Sequence, residues 1–464
     1  MKILKYFLVA VALCGCPLVK GQVPAIIPTP AEMSVGNGEY RLQDLDVYIE
    51  PADRADALRR EILQNPLFDK VDSMARALAS TGFNAGDSYS EVWIRDFNTF
   101  IELSMEVRPL EEIKSNFDVF WAFQGPEGDI IDGFAPKENA YEAYKLRHSD
   151  AYPMYEAHKN TVETDQESSM VQAVYKYVGK SGDVEYLNSE AQGRKVIDRL
   201  ELALEYLRNC KWNDRYGLIT GATTADWGDV QPEHEWGVEI DANTHFAIDI
   251  YDNAMFVEAI NDFMEMCAMC GENSRILKWQ ALRRQVSDNV RKYLWDSGRQ
   301  KFIPHIYLNG SPFPSDFDEN AIYFHGGTAI AIEAGLLSKE EIAAANAKML
   351  ANVRESGAPT IGLTLYPTYP EGFFKNPGMT PYGYQNGGDW TWFGGRMIQA
   401  LAANGFVQEA YDEVLPMLQR VSDNNAFHEW YTRDGKAVGS GTFRGEAGVL
   451  FKAMEMLRQW ARSE

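Results

Sequence analysis

The chain is 464 residues long, 45% of it apolar and 12% aromatic, with a formal net charge of −23. At roughly 100–200 residues per domain the length allows two or three domains or one large barrel, with ample material for a core. The acidic balance repels phosphate backbones and anionic lipid headgroups, which argues against nucleic acid as a partner and suits an exported enzyme with a neutral substrate.

The N-terminus reads as an export signal. Lys2 and Lys5 precede an apolar stretch from Tyr6 to Leu13 that is too short to span a bilayer. Two processing sites compete. Leu13-Cys14-Gly15-Cys16 resembles a bacterial lipobox, which would leave Cys16 lipidated and the protein attached to a membrane. Val19-Lys20-Gly21 would instead precede cleavage before Gln22. Either route gives a periplasmic or cell-surface location. Cleavage before Gln22 leaves Cys210, Cys267 and Cys270, which is no disulfide framework. Cys267 and Cys270 sit in a helical run without a partner pair, so they read as helix packing.

We divide the chain into a leader (1–21), a Pro-rich extension (22–52) with a strand-like stretch from Tyr40 to Ile49, and one large domain (53–464). In that domain apolar residues recur at three- and four-residue intervals. They predict helices over 53–64, 71–80, 95–106, 109–123, 165–180, 190–209, 245–271, 274–295, 321–335, 339–355, 388–404, 407–422 and 443–462. About a dozen helices in consecutive hairpins is the element count of an all-α (α/α)6 toroid, and no fixed repeat period supports a helical array instead. The segments 124–160, 211–244, 297–320 and 356–387 are long and rich in Gly, Pro, Asp, Tyr and Trp. Connections of that length in a compact domain are usually functional.

Five constellations carry candidate chemistry. Trp93-Ile94-Arg95-Asp96 opens a helix. Its donor fork, carboxylate and ring suit a pair of sugar hydroxyls, or Arg95 and Asp96 form an interhelical ion pair. Glu163-Thr164-Asp165-Gln166-Glu167-Ser168 opens another. Asp165 there either supports a sugar site or caps the helix. In Thr224-Ala225-Asp226-Trp227-Gly228-Asp229 two carboxylates flank a Trp and a Gly. An apolar neighbour raises a carboxyl pKa, as a general acid at neutral pH requires. The run from Tyr382 to Trp392, with Gln385, Asn386, Trp390 and Trp392, suits a cleft wall. Finally, Glu429 lies among aromatics in Phe427-His428-Glu429-Trp430-Tyr431, where a carboxylate could activate a water; Glu446 is the competing residue, with helix-dipole compensation as its alternative role. The seven His show no metal-ligand spacing, and there is no phosphate loop or nucleophile elbow, so neither metal nor cofactor is expected.

At these motifs, from about Tyr89 to the C-terminus, the chain resembles the six-hairpin glycosidases: glucoamylases, trehalases, processing α-glucosidases and relatives. The Trp-x-Arg-Asp element is similar to one that binds the non-reducing-end sugar in glucoamylases, which implies that role for Arg95 and Asp96. The Asp-Trp-Gly-Asp run resembles the general-acid loop of several relatives, implying Asp229 as the acid with Trp227 lining the sugar site. Glucoamylases themselves use a Glu in another motif, so Asp226 stays open as the acid. Glu429, before a Gly and the last helix, is similar to the segment that carries the base.

The resemblance thus implies a monomeric, inverting, exo-acting hydrolase of a terminal, α-linked sugar, with Asp229 and Glu429 catalytic. Trp93, Arg95, Asp96, Asp165, Trp227, Gln385, Asn386, Trp390, Trp392 and Trp430 would contact the oligosaccharide. A disaccharide phosphorylase, a non-catalytic surface carbohydrate-binding protein and a sugar epimerase are the alternatives. The first generally needs a large β-domain, and the last leans on His pairs not found here.

Overall fold

The computed structural model describes residues 51–463, apart from Ala143 and Gly237. The leader, Cys16 and the strand-like stretch from Tyr40 to Ile49 lie outside the described residues.

Thirteen α-helices follow one another in the described chain. In order, α1 is Pro51–Gln64, α2 Pro66–Ala79, α3 Ile94–Ser104, α4 Leu110–Phe123 and α5 Gln166–Ser181. Then come α6 Val196–Cys210, α7 Ile250–Cys270, α8 Asn273–Tyr293 and α9 His325–Glu333. The last four are α10 Lys339–Ser356, α11 Thr391–Ala403, α12 Val407–Asn424 and α13 Arg444–Arg462. The odd-numbered helices from α3 to α13 each pack on the next, and α13 returns to α3, closing an inner ring of six. The even-numbered helices lie outside it. Helix α2 packs on α3 and α13, α6 on α5 and α7, α8 on α7, α10 on α9, and α12 on α11 and α13. Helix α4 sets Phe117 against Phe97 of α3 and Tyr177 of α5. Helix α1 is an addition to this pattern and lies on α13.

Sequence decides which ring a helix joins. Every residue of α9 from His325 to Ile332 is buried, as expected of a helix enclosed on all sides. In α8 only Trp279, Leu282, Val286 and Val290 are buried, a single stripe at helical spacing with charge on the other faces. Ring closure depends on small residues: a Cβ on Gly448 of α13 would sit 2.5 Å from Cα of Phe100 in α3.

All thirteen expected helices are present; their ends shift by no more than two residues, and the larger differences lie at their starts. Helix α2 begins at Pro66 because Asn65 Oδ1 accepts from the Leu67 N–H at 3.0 Å and proline suits the first turn. Residues 190–195 form a two-residue ladder, Glu190–Ala191 with Arg194–Lys195, before α6 starts. Likewise Phe246–Ile248 and Tyr323–Phe324 are short strands leading into α7 and α9. Val92–Trp93 leads into α3 and pairs with Gly133–Pro136, which pairs with Tyr155–His158. These ladders tie the long connections to the N-terminal ends of the inner helices. No described helix is long and apolar enough to cross a membrane. Cys267 is buried and Cys270 half-buried in α7, both as free thiols.

Candidate active site

A cavity of about 910 Å³ opens at the N-terminal ends of the inner helices. That volume suits a ligand of one to a few rings. Helix α3 contributes Trp93, Arg95 and Asp96 at its start, α11 contributes Trp390 and Trp392, and Phe443 immediately precedes α13. The long connections supply Asp132, Tyr144, Trp227, Asp229, Tyr384, Gln385 and Glu429.

Asp229 and Glu429 both face this cavity and are held from different walls. Gln385 Nε2 donates to Asp229 Oδ1 at 2.7 Å. Glu429 is 6% exposed; its Oε1 accepts from the Tyr89 hydroxyl at 2.8 Å and its Oε2 from the Ser440 N–H at 3.1 Å. Burial raises the Glu429 carboxyl above its ordinary value and the charge of Asp229 adds to this, while the Tyr89 and Ser440 donors offset part of the rise. The result is a carboxylate more basic than a free one, yet with donors in place for its ionised form.

Asp226 takes a different part and does not line the cavity. Its backbone is left-handed, with φ of 57°. Its carboxylate turns away from the cavity to accept from Gly326 N at 2.6 Å and Gly327 N at 2.8 Å, satisfying the first turn of α9. Burial pushes its pKa up to about 7, against those two backbone donors. The two glycines are a steric necessity: a Cβ on Gly326 would lie 2.3 Å from Trp227 Cδ1. Trp227 itself stacks on Phe393 at 4.5 Å and meets Trp390 and Trp392 edge-on at 4.9 and 5.3 Å. This wedge of rings fixes the turn that presents Asp229. Glu446, the other carboxyl weighed as base, is fully buried, accepts from Thr391 Oγ1 at 2.5 Å, and is absent from the cavity wall.

Arg95 and Asp96 form the floor. Arg95 Nε lies 2.9 Å from Asp165 Oδ2, and its Nη2 pairs with Glu163. Burial would weaken the guanidinium's hold on its proton, but the Asp165 charge outweighs it and raises the pKa. Asp96 reaches a pKa of about 8 through burial and the charges of Glu429 and Asp132, only partly opposed by Arg95. That direction favours the protonated form, which can donate as well as accept. Asp132 is the opposite case. Burial pushes its carboxyl up, yet His158, 3.5 Å away, together with Arg95 and Lys159 holds it below the ordinary carboxylate range.

Nine of the residues named from sequence thus meet around one cavity: Trp93, Arg95, Asp96, Trp227, Asp229, Gln385, Trp390, Trp392 and Glu429. Three do not line it. Asp165 is sealed behind Arg95, where its Oδ2 also accepts from Tyr251 at 2.7 Å; it occupies the N-cap position of α5 but makes no side-chain cap bond. Its work is to position Arg95. Asn386 is spent on backbone, accepting from Tyr369 N at 2.8 Å and donating to the Tyr369 and Met379 carbonyls. Trp430 packs edge-on against Tyr384, 6.1 Å between centroids, and buttresses the wall from behind.

Sequence reasoning passed over Tyr89, Asp132, Tyr141, Tyr144 and Trp236, which also line the cavity. With 23 Tyr in the chain, no local pattern distinguishes Tyr89 or Tyr144, and Asp132 lies in no motif. Tyr384, inside the run read as a cleft wall, carries a φ of 36°, a strained backbone for a bulky residue, and turns into the cavity. Among the described residues no group of three or more His, Cys, Asp or Glu side chains is placed to hold a metal ion.

No protein-family model matches the sequence, nor does any curated protein. Solved structures do match by shape. The GH63 mannosylglycerate hydrolase of Thermus thermophilus, in complex with glucose, superposes with a TM-score of 0.60 at 16% identity, over 83% of this chain and 99% of that one. The chain shares that enzyme's fold, an inner ring of helices inside an outer one. The GH78 family rhamnosidase of Bacillus sp. GL1 follows at 0.56 and 14% identity, covering 84% of this chain and 34% of its own. A rhamnosidase from Klebsiella oxytoca with rhamnose bound reaches 0.54 at 12% identity, over 84% of this chain and 63% of that one. At these identities the likeness is one of fold.

Proposed function

We propose that the chain is an inverting glycoside hydrolase that removes a terminal sugar from an oligosaccharide, with Asp229 as general acid and Glu429 as general base. One observation carries the reading: two carboxyls far apart in sequence open onto the same sugar-sized cavity from different walls. Inverting enzymes need such a pair, with carboxyl groups about 6.5–9.5 Å apart to leave room for a water.

In the reaction, Asp229 gives its proton to the glycosidic oxygen as the bond to the anomeric carbon breaks. Glu429 takes a proton from the water that attacks the opposite face of the ring. Gln385 orients Asp229, and Tyr89 with the Ser440 N–H orients Glu429. Asp96 and Arg95 would bind hydroxyls of the sugar against the buried rings of Trp227, Trp390 and Trp392. A floor built from helix starts favours a chain end over a mid-chain segment, hence exo-action. The fold shared with glycoside hydrolases supports an α-linked gluco- or manno-configured sugar as the first class to try.

The test is a panel of aryl glycosides and oligosaccharides, with the first-formed product anomer followed by NMR. Release of a terminal sugar with inverted configuration is expected. Retention would remove Glu429 from the role of base, and phosphate-dependent release of a sugar phosphate would turn the reading to a phosphorylase.

A further inference from the structure

The cavity changes character along its depth. Trp227, Trp390 and Trp392, on its inner walls, are each at most 3% exposed. Trp236 and Tyr141, which also line it, are 68% and 59% exposed. Among the described residues these two are the only aromatic rings in the set of strongly exposed large apolar side chains, and both stand at this one opening. Leaving a Trp and a Tyr in water costs free energy unless a ligand covers them. Trp236 follows Asp229 in the same connection and lines the same cavity.

Charge defines what can sit there. Asp132 and Glu429 face the interior as carboxylates, and Glu239 and Asp241 flank the opening. The lysine and arginine side chains on the lining are Arg95 and Lys145, and Arg95 is already engaged by Asp165 and Glu163. A leaving group carrying a carboxylate would enter a negative field.

We propose that Trp236 and Tyr141 form a stacking platform for an uncharged sugar ring on the leaving-group side of the scissile bond, so that the substrate is a neutral di- or oligosaccharide. This rests on the glycosidase reading above. The apolar face of a pyranose lies on the Trp236 ring, Tyr141 flanks it, and the acidic opening turns away anionic aglycones.

The experiment compares leaving groups on the full chain. α-Glucosyl, α-mannosyl and α-rhamnosyl fluorides lose a single atom and need no platform; disaccharides of the same sugars need one. Trp236→Ala is expected to raise KM for the disaccharide about tenfold, the scale of one lost ring contact. Turnover of the fluoride falls far less than that of the disaccharide, and Trp236→Tyr restores most of the disaccharide activity. Tyr141→Ala acts in the same direction with a smaller change. A glycoside of glyceric acid is expected to be a poorer substrate than its glycerol counterpart, with the gap narrowing as salt is added. An unchanged disaccharide KM in both alanine variants, or a preference for the acidic aglycone, overturns the proposal while leaving the hydrolase reading intact. A wild-type protein that turns over neither fluorides nor disaccharides takes down the hydrolase reading, and this one with it.

Discussion

The two ends of the inner ring are both polar, but their charges are organised in opposite ways. Deeper in the ring several charges are paired, while among the described residues Asp262 and Glu258 of α7 have no Lys or Arg ion pair. Arg396 pairs with Glu333 at 2.8 Å, Lys452 with Glu102 at 2.7 Å, and Lys180 with Glu106 at 2.8 Å. Lys176 donates to the carbonyl and side-chain oxygens of Asn98 at 3.0 and 2.9 Å. At the N-terminal end, Asp96, Asp132, Asp229 and Glu429 share one cavity, and among the described residues none has a Lys or Arg ion-pair partner; His158 behind Asp132 is the nearest substitute. Matched buried charge fixes how helices meet. Unmatched acid in a cavity is unfavourable for folding and is what proton transfer requires. Ion pairing distinguishes the four cavity carboxyls from Glu333, Glu102 and Glu106, which are paired and partly exposed.

The largest effect is expected at the proposed catalytic pair, Asp229 and Glu429. Asp229→Asn and Glu429→Gln are each expected to lower kcat by roughly 10²–10⁴-fold. Their melting temperatures should hold or rise, since each removes an unmatched carboxyl; near-wild-type turnover in either variant would take that residue out of the mechanism. At the matched end the pattern inverts. Arg396→Ala strands Glu333, which is partly exposed, and should cost about 2 kcal/mol in a denaturant titration, with kcat/KM of the folded fraction little changed.

Asp226→Asn sharpens the contrast within one loop. It forfeits one of two backbone acceptors at the start of α9 and should destabilise by about 1 kcal/mol. Its kcat should stay far above that of Asp229→Asn. The smallest effect is a pH shift. The hydroxyl of Tyr89 stabilises ionised Glu429, so Tyr89→Phe raises that pKa further. A base works ionised and is lost as pH falls through its pKa. The acid limb of kcat/KM should therefore move to higher pH, by up to about one unit. A limb that stays put, or moves to lower pH, would mean that Glu429 is not the titrating base.

Much of this was legible in the chain. Periodicity located all thirteen helices, because a helix that buries one face or all faces must write that fact into its own residues. The motifs at Trp93, Trp227, Gln385 and Glu429 marked the cavity wall, because long connections that cluster aromatics with carboxyls gather the groups a polar cleft needs. Asp165, Asn386 and Trp430 were misplaced by one layer: each sits in the right segment but points behind the wall, at Arg95, at the Tyr369 backbone and at Tyr384.

Sequence by itself determined the helices, their order and the segments that bear the chemistry, since these follow from local spacing and composition. The tertiary structure alone decided which carboxyl faces the cavity. Asp226 and Asp229 are indistinguishable in the string Asp-Trp-Gly-Asp. A left-handed turn at Asp226, two glycines a hundred residues away and the ring of Phe393 point one inward to cap a helix and leave the other open. Side-chain direction is set by backbone dihedrals and distant packing partners, and neither is written in the neighbouring residues.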